Sequence, residues 1–181
     1  MAQWHIDPAH SDVKFKIKHL VVSTVTGRFG DFNAVIETEN QDFSDARISF
    51  EADVNGINTN NEQRDAHLKS PDFFDAAKHP KITFRSTSVT PVSEAELKVT
   101  GDLTIRGVTR SVLLDVSYNG TVAGFGGKKV AGFEITGKIN RFDYGLTWNA
   151  MTEAGGVVVS SDVKLDIAAE FNQVEEAAKA A

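Results

Sequence analysis

Apolar and polar residues alternate one by one along most of this chain, and a period of two restricts it to strands with one buried and one wet face. From Ser11, Val13, Phe15 and Ile17 point one way while Asp12, Lys14, Lys16 and Lys18 point the other. Gly27 reads as the break before a second strand carrying Phe32, Ala34 and Ile36. A third follows Ser44-Asp45 with Ala46, Ile48, Phe50, Ala52 and Val54 on its apolar face. The pattern resumes at Lys81 with Ile82 and Phe84, then with Leu97, Val99, Gly101, Leu103 and Ile105. After a turn at Gly107 come Val112, Leu114, Val116 and Tyr118. The glycines at 124, 126 and 127 mark a reversal before Ala131, Phe133, Ile135, Gly137 and Ile139, and Val163 to Phe171 forms the last strand. A short extended piece, Trp4-His5-Ile6, precedes a turn at Pro8.

Roughly eight long strands with short turns and no βαβ rhythm predict an all-β fold. The expectation is an eight-stranded antiparallel up-and-down barrel, which removes its edges by closure. At 181 residues the chain suits one domain. We place its boundaries at residues 1–171, with 172–181 as a helical or disordered tail.

One interior stretch, Ile57 to Pro80, abandons the alternation. It carries Asn58, Asn60, Asn61, Arg64, Asp65 and His67, then Pro71 and the pair Phe73-Phe74. Thr59 and Glu62 have capping-box spacing, which predicts a helix of about two turns through Leu68 or Lys69. Pro71 should stop it, and Ser70-Pro71-Asp72 has the form of a second short turn. Phe73 and Phe74 read as a plug packed into the barrel end.

Several function classes fall away on composition. With 19 basic and 25 acidic residues the net charge is -6, which argues against a nucleic-acid partner. The absence of cysteine excludes disulfides, thiolate metal sites and cysteine nucleophiles. No run suits a membrane-spanning helix, and the start of the chain has no signal-like segment, which gives a cytoplasmic expectation. The five histidines lack local metal spacing, so we expect no metal. There is no nucleophile elbow, phosphate loop or dinucleotide fingerprint.

In a barrel the apolar faces point inward. That face carries no carboxylate, histidine or lysine on the regular strands, and so offers no proton carrier for acid–base catalysis. Small residues among the large ones (Ala34, Ala46, Ala52, Ser86, Gly101, Ala131, Gly137) leave two readings open: an elongated cavity, or a filled core in which large neighbours interdigitate. A cavity would suit a chain-like lipid, since two five-carbon isoprene units bury about 8 kcal/mol at ~0.8 kcal/mol per CH₂. The expected lining is Phe15, Ile17, Phe32, Ile48, Phe50 and Ala52, with Phe84, Leu97, Leu103, Leu114, Phe133 and Ile135.

Together these residues resemble the YceI-like family of polyisoprenoid-binding, lipocalin-like proteins, from about Trp4 to Phe171. The carriers are Ile6-Asp7-Pro8-Ala9-His10-Ser11, Ile17-Lys18-His19-Leu20, the insert INTNNEQRDAHLKSPDFFD, Lys81-Ile82-Thr83-Phe84, Gly101 to Thr109, and Ile139 to Gly145. The resemblance implies a tunnel for a long lipid tail, a helical cap, a headgroup near the mouth and a possible homodimer. It also carries over His19, Arg64, His67, Arg141 and Asp143 as rim residues, with a structural role favoured for His10 and Asp143. Many relatives are exported, whereas this chain shows no signal.

The expected function is therefore non-catalytic binding or transport of a long isoprenoid, such as a polyprenol or quinone, with no cofactor. A fatty acid or fatty amide is the alternative ligand. Two rival classes stand beside it: a barrel-mouth isomerase or hydrolase using Arg64, His67 and Asp143, and a filled barrel acting as a stress-response or interaction module.

Overall fold

The computed structural model describes residues 1–174. Its strands are β1 Ala2–Ile6, β2 Asp12–His19, β3 Ser23–Phe29, β4 Phe32–Thr38, β5 Arg47–Asp53, β6 Ile57–Asn58, β7 Lys81–Pro91, β8 Glu96–Ile105, β9 Val108–Ala123, β10 Lys129–Asn140 and β11 Val159–Val174, with the helix α1 at Glu62–Lys69. Every pairing is antiparallel, and β11 closes on β1. The pieces assemble into eight staves because two staves are bent. β1 and β2 follow one another along the same edge of β11, through Ile6↔Phe171 and Val13↔Ile167. β4 and β3 do the same along β1 and β2, through His5↔Val35 and Val13↔Phe29. The closed eight-stranded antiparallel barrel is the architecture that the alternation predicts.

The bend between β1 and β2 has a specific cause. Asp7 caps a short 3-10 turn, Pro8–His10, accepting from the Ala9 amide at 3.0 Å and facing His10 Nδ1 at 2.8 Å. The His10 contact holds the Asp7 carboxyl below its ordinary range, and Asp7 holds the imidazole above its own. His10 thus has the structural role expected of it.

Three local expectations are corrected. Gly27 does not break the chain but lies inside β3, opposite Phe15. A Cβ there would come within 2.2 Å of the Phe15 ring, so the glycine seats an aromatic rather than a turn. The reversal falls instead at Leu20–Val22, where Leu20 and Val21 take φ of 53° and 65°. Nothing in Leu-Val-Val advertises that, because such residues seldom adopt left-handed backbone. Secondly, α1 is capped by Asn61, whose side chain accepts from the Arg64 amide at 3.0 Å. Thr59 is drawn away from capping, and its hydroxyl and amide both donate to Asp65. Thirdly, β11 runs on to Val174, so Asn172, Gln173 and Val174 pair with β1 rather than fray. The rest of the expected tail, 175–181, lies outside the described residues. The helix does stop before Pro71, with Ser70 extended, and the next residues form a turn closed by Phe73 N–H to Ser70 C=O at 3.0 Å.

Two ends result. At the capped end, α1 and the turn after it meet the segment that follows β10. At the far end, the loop between β4 and β5 folds Phe43 inward against Trp4, Tyr118 and Phe133, with ring centroids 5.0–5.3 Å apart. Among the described residues no helix is long and apolar enough to cross a membrane.

Candidate functional site

The barrel is hollow. A cavity of about 610 Å³ runs from α1 to Phe43 between the inward faces of the staves. Of the expected lining, Phe15, Ile17, Ile48, Phe50, Ala52, Phe84, Leu97, Leu103, Leu114, Phe133 and Ile135 border it. Phe32 does not; it opens β4 at the bend from β3 and packs against the core instead. The filled-barrel reading is thereby overturned. Both explanations of the small residues nevertheless apply, at different positions. Gly101 and Gly137 are seats, since added Cβ atoms would strike the Phe84 ring at 2.4 Å and Leu114 at 2.7 Å. Ala34, Ala46 and Ala52 border the cavity and leave it room. Ser86 repairs a backbone gap by accepting from the Ile48 amide at 2.8 Å.

Polar groups gather at one end. Thr59, Asn61, Gln63, Arg64 and His67 of the cap border the cavity, as do His19 at the end of β2 and Arg141 after β10. The expected freedom from histidine therefore fails at this end, while Lys14 and Lys18 keep the outward side of β2, Lys14 near Asp12 and Asp166, and the bordering set contains no carboxylate. The barrel wall is also incomplete beside the cap. Beyond β2, β3 pairs with β6 through Arg28↔Asn58 and Phe29↔Ile57, and from Ser23 to Gly27 its outer edge has no strand partner among the described residues.

The cap is fixed by named contacts. The His67 ring meets Phe73 and Trp148 edge-on at 5.0 and 4.7 Å, and its Nε2 lies 2.8 Å from Asp72. Arg106 Nη1 donates to the Phe73 carbonyl at 3.0 Å and the Gly145 carbonyl at 3.1 Å, strapping cap to barrel. Phe74 packs against Phe29 at 6.3 Å. Arg64 is committed to the cap itself, donating to the Thr59 hydroxyl at 2.7 Å and carbonyl at 2.6 Å.

Arg141 is the most enclosed of the expected rim residues, at 4% exposure. Asn140 caps the 3-10 turn that carries it, and Gly145, at φ 78°, ends that turn. The guanidinium donates to four carbonyls: Leu146 at 2.7 Å, Trp148 at 2.8 Å, Ser160 at 2.8 Å and Val159 at 3.3 Å. It also lies over the Phe142 ring at 4.8 Å. Burial draws its pKa down from the ordinary arginine value. Most of its donors are committed to holding loops.

The catalytic alternative required Arg64, His67 and Asp143 to share a pocket. Arg64 and His67 border the cavity, but Asp143 is exposed outside it, its carbonyl accepting from Arg110 at 3.3 Å. Among the described residues the one group with metal-like spacing is Asp7, His10 and Glu170, whose ligand atoms lie within 4.8 Å of one another. His10 and Glu170 do not border the cavity, and Asp7 is occupied by the turn it caps.

Sequence reasoning missed Phe43, Trp148 and Arg106. Phe43 sits in a polar turn, Asn40-Gln41-Asp42-Phe43-Ser44-Asp45, at φ 61° and 2% exposure. Asp45 fences that turn, accepting from the Thr38 hydroxyl and from the amides of Glu39 at 2.9 Å and Asn40 at 3.1 Å. The Thr38 bond is the main cause that lowers the Asp45 pKa from 3.8 to about 2. A depressed carboxyl stabilises the fold above its unfolded value and loses that contribution as pH falls through the folded one. Amide exchange at Glu39 and Asn40 is therefore expected to accelerate between about pH 4 and pH 2 beyond the intrinsic rate. Asp45→Asn should lack that acid step, and an unchanged step in the variant would refute the fence.

The YceI-like domain profile matches residues 4–171. A UPF0312 protein of Staphylococcus aureus (strain Mu50) is 44% identical over 173 residues, covering 95% of this chain and 98% of the relative. The crystal structure of the Campylobacter jejuni YCEI protein is similar at 37% identity and a TM-score of 0.75, covering 93% of this chain and 96% of that one. BcnA of Burkholderia cenocepacia shares the fold at 21% identity and a TM-score of 0.79, with 91% and 98% covered. So does a polyisoprenoid binding domain from Saccharophagus degradans, implicated in plant cell wall breakdown, at 18% identity and a TM-score of 0.63, with 94% and 98% covered.

Proposed function

We propose a function from one premise: the chain belongs to the YceI-like domain family. It binds and carries a single long-chain isoprenoid lipid, a polyprenol or a quinone with a prenyl tail, inside the barrel and without chemical turnover. The observation that carries this reading is the shape and chemistry of one cavity: about 610 Å³, apolar along the staves and polar only beside the cap. Burial of a hydrocarbon tail at ~0.8 kcal/mol per CH₂ supplies the affinity with little polar recognition. A fold-level neighbour described as a polyisoprenoid binding domain supports the ligand class. The exposed position of Asp143, outside the cavity that Arg64 and His67 border, favours binding over catalysis. The headgroup sits beside Asn61, Gln63 and His67, next to the unpartnered edge of β3.

A fatty acid is the second reading, and one observation favours it. Arg64 and Arg141 border the cavity with no carboxylate among its bordering residues, an environment that accepts an anionic head.

Organic extraction of the purified protein followed by mass spectrometry tests both readings. The expected result is one equivalent of a prenyl lipid, which native mass spectrometry of the intact protein reads as a single mass increment. A stoichiometric fatty acid would select the second reading. Protein that is lipid-free and also ignores added prenols, quinones and fatty acids would sink both.

A further inference from the structure

The cavity has a polar end and a blind end, and the blind end is a single side chain set in a rigid loop. We propose that Phe43 is the stop that sets how much chain the barrel encloses, four to five isoprene units. This rests on the lipid-binding reading above and adds a length limit to it.

Three observations place the stop. Phe43 borders the cavity at 2% exposure, with Trp4, Tyr118 and Phe133 rings packed around it at 5.0–5.3 Å. Its backbone holds φ 61°, a left-handed conformation that turns the side chain into the barrel from a loop otherwise facing water. The loop is braced rather than hinged: Phe43 N–H donates to Asn40 C=O at 3.2 Å, Ala46 N–H to Phe43 C=O at 3.1 Å, and Ser44 N–H to Asp42 at 3.0 Å. Asp45 adds its bonds to Glu39 and Asn40. A chain entering beside α1 meets this ring and goes no further.

The volume fixes the length. An apolar cavity of ~150 Å³ takes one benzene, or about 25 Å³ per carbon. On that scale about 610 Å³ holds on the order of 24 carbons, which is close to five isoprene units, and the polar end takes part of the space. Each enclosed unit adds affinity, on the order of tenfold or more, because its carbons leave water. Units beyond the limit stay in water and add none. Removing the Phe43 ring frees space for about six carbons, or about one unit, with Trp4 behind it to keep water out.

The test is competition native mass spectrometry with all-trans prenols of two to eight isoprene units, on wild type, Phe43→Ala and Phe43→Leu. In wild type, affinity should climb with each unit to a break at four or five and stay flat beyond. In Phe43→Ala the break should move one unit longer, and in Phe43→Leu it should move the same way by less. Circular dichroism decides whether the alanine variant is folded; if it is not, the leucine variant carries the comparison. A break that stays put in a folded variant overturns the stop while leaving lipid binding intact. Failure of wild type to bind any prenol overturns the lipid reading itself, and the stop with it.

Discussion

Arg141→Met is expected to destabilise the barrel by about 3–5 kcal/mol, the largest effect of any single rim substitution. The guanidinium is 4% exposed and satisfies the carbonyls of Leu146, Trp148, Val159 and Ser160. Methionine fills similar space and takes the donor from the Leu146, Trp148 and Ser160 carbonyls, at ~1–3 kcal/mol for each that stays dry, whereas Val159 keeps the Asn149 amide at 2.7 Å. Recovering the desolvation of the arginine charge, and water reaching the outer carbonyls, offset part of that cost. For a chain of this size the shift in Tm is roughly 10 °C. Arg141→Lys should rescue little, because a point ammonium cannot reproduce a planar fork that reaches both loops. Urea denaturation checks the magnitude, and hydrogen exchange should show residues 146–160 loosening first. A loss below about 1 kcal/mol would mean that those carbonyls find other donors and that Arg141 is free to serve a ligand.

The second large effect concerns uptake rather than stability. Ala52→Trp should reduce prenol binding at least tenfold, while Lys16→Ala leaves it within about twofold. Ala52 is 1% exposed, borders the cavity and lies opposite Phe32 and Ile82 in the ladder. An indole in its place occupies on the order of 200 Å³ on the benzene scale, about a third of the cavity. In a filled core such an enlargement would break the packing, but here there is space to receive it, so the variant should fold. Lys16 points outward, with its ammonium 3.1 Å from Asp166, and does not border the cavity. Equal uptake by both variants would move the ligand outside the barrel.

The contrast between these two residues shows what was legible in the sequence and what was not. Ala52 could be read directly, because a strand's inward face is a property of local periodicity: Ile48, Phe50 and Ala52 share a face whatever their partners are. The same logic recovered the staves, closure and eleven of the twelve expected lining residues. Phe32 failed because it sits at the β3–β4 bend, where backbone direction rather than parity decides what a side chain faces. Gly27 failed because a glycine carries no mark of whether it serves a turn or an aromatic ring across the ladder. Asn61 displaced Thr59 as the cap because Thr59 had a stronger partner in Asp65. Phe43 was hidden because polar turns predict exposure, and its inward course depends on a single left-handed residue and a fence built by Asp45. Arg141 was recognisable as a rim residue only by resemblance. Its role as a clamp depends on four carbonyls from two later segments, a contact set that no local pattern encodes.

Whether a chain-like lipid lies inside the barrel is tested most directly by intermolecular NOEs. Protein with methyl groups labelled would be loaded with an unlabelled prenol of five isoprene units. The prediction is strong NOEs from the prenyl methyls to Val99 and Leu103 on inward faces, and none to Leu113 or Val122, which are 53% and 66% exposed. NOEs to Leu113 and Val122 with silence at Val99 and Leu103 would contradict it.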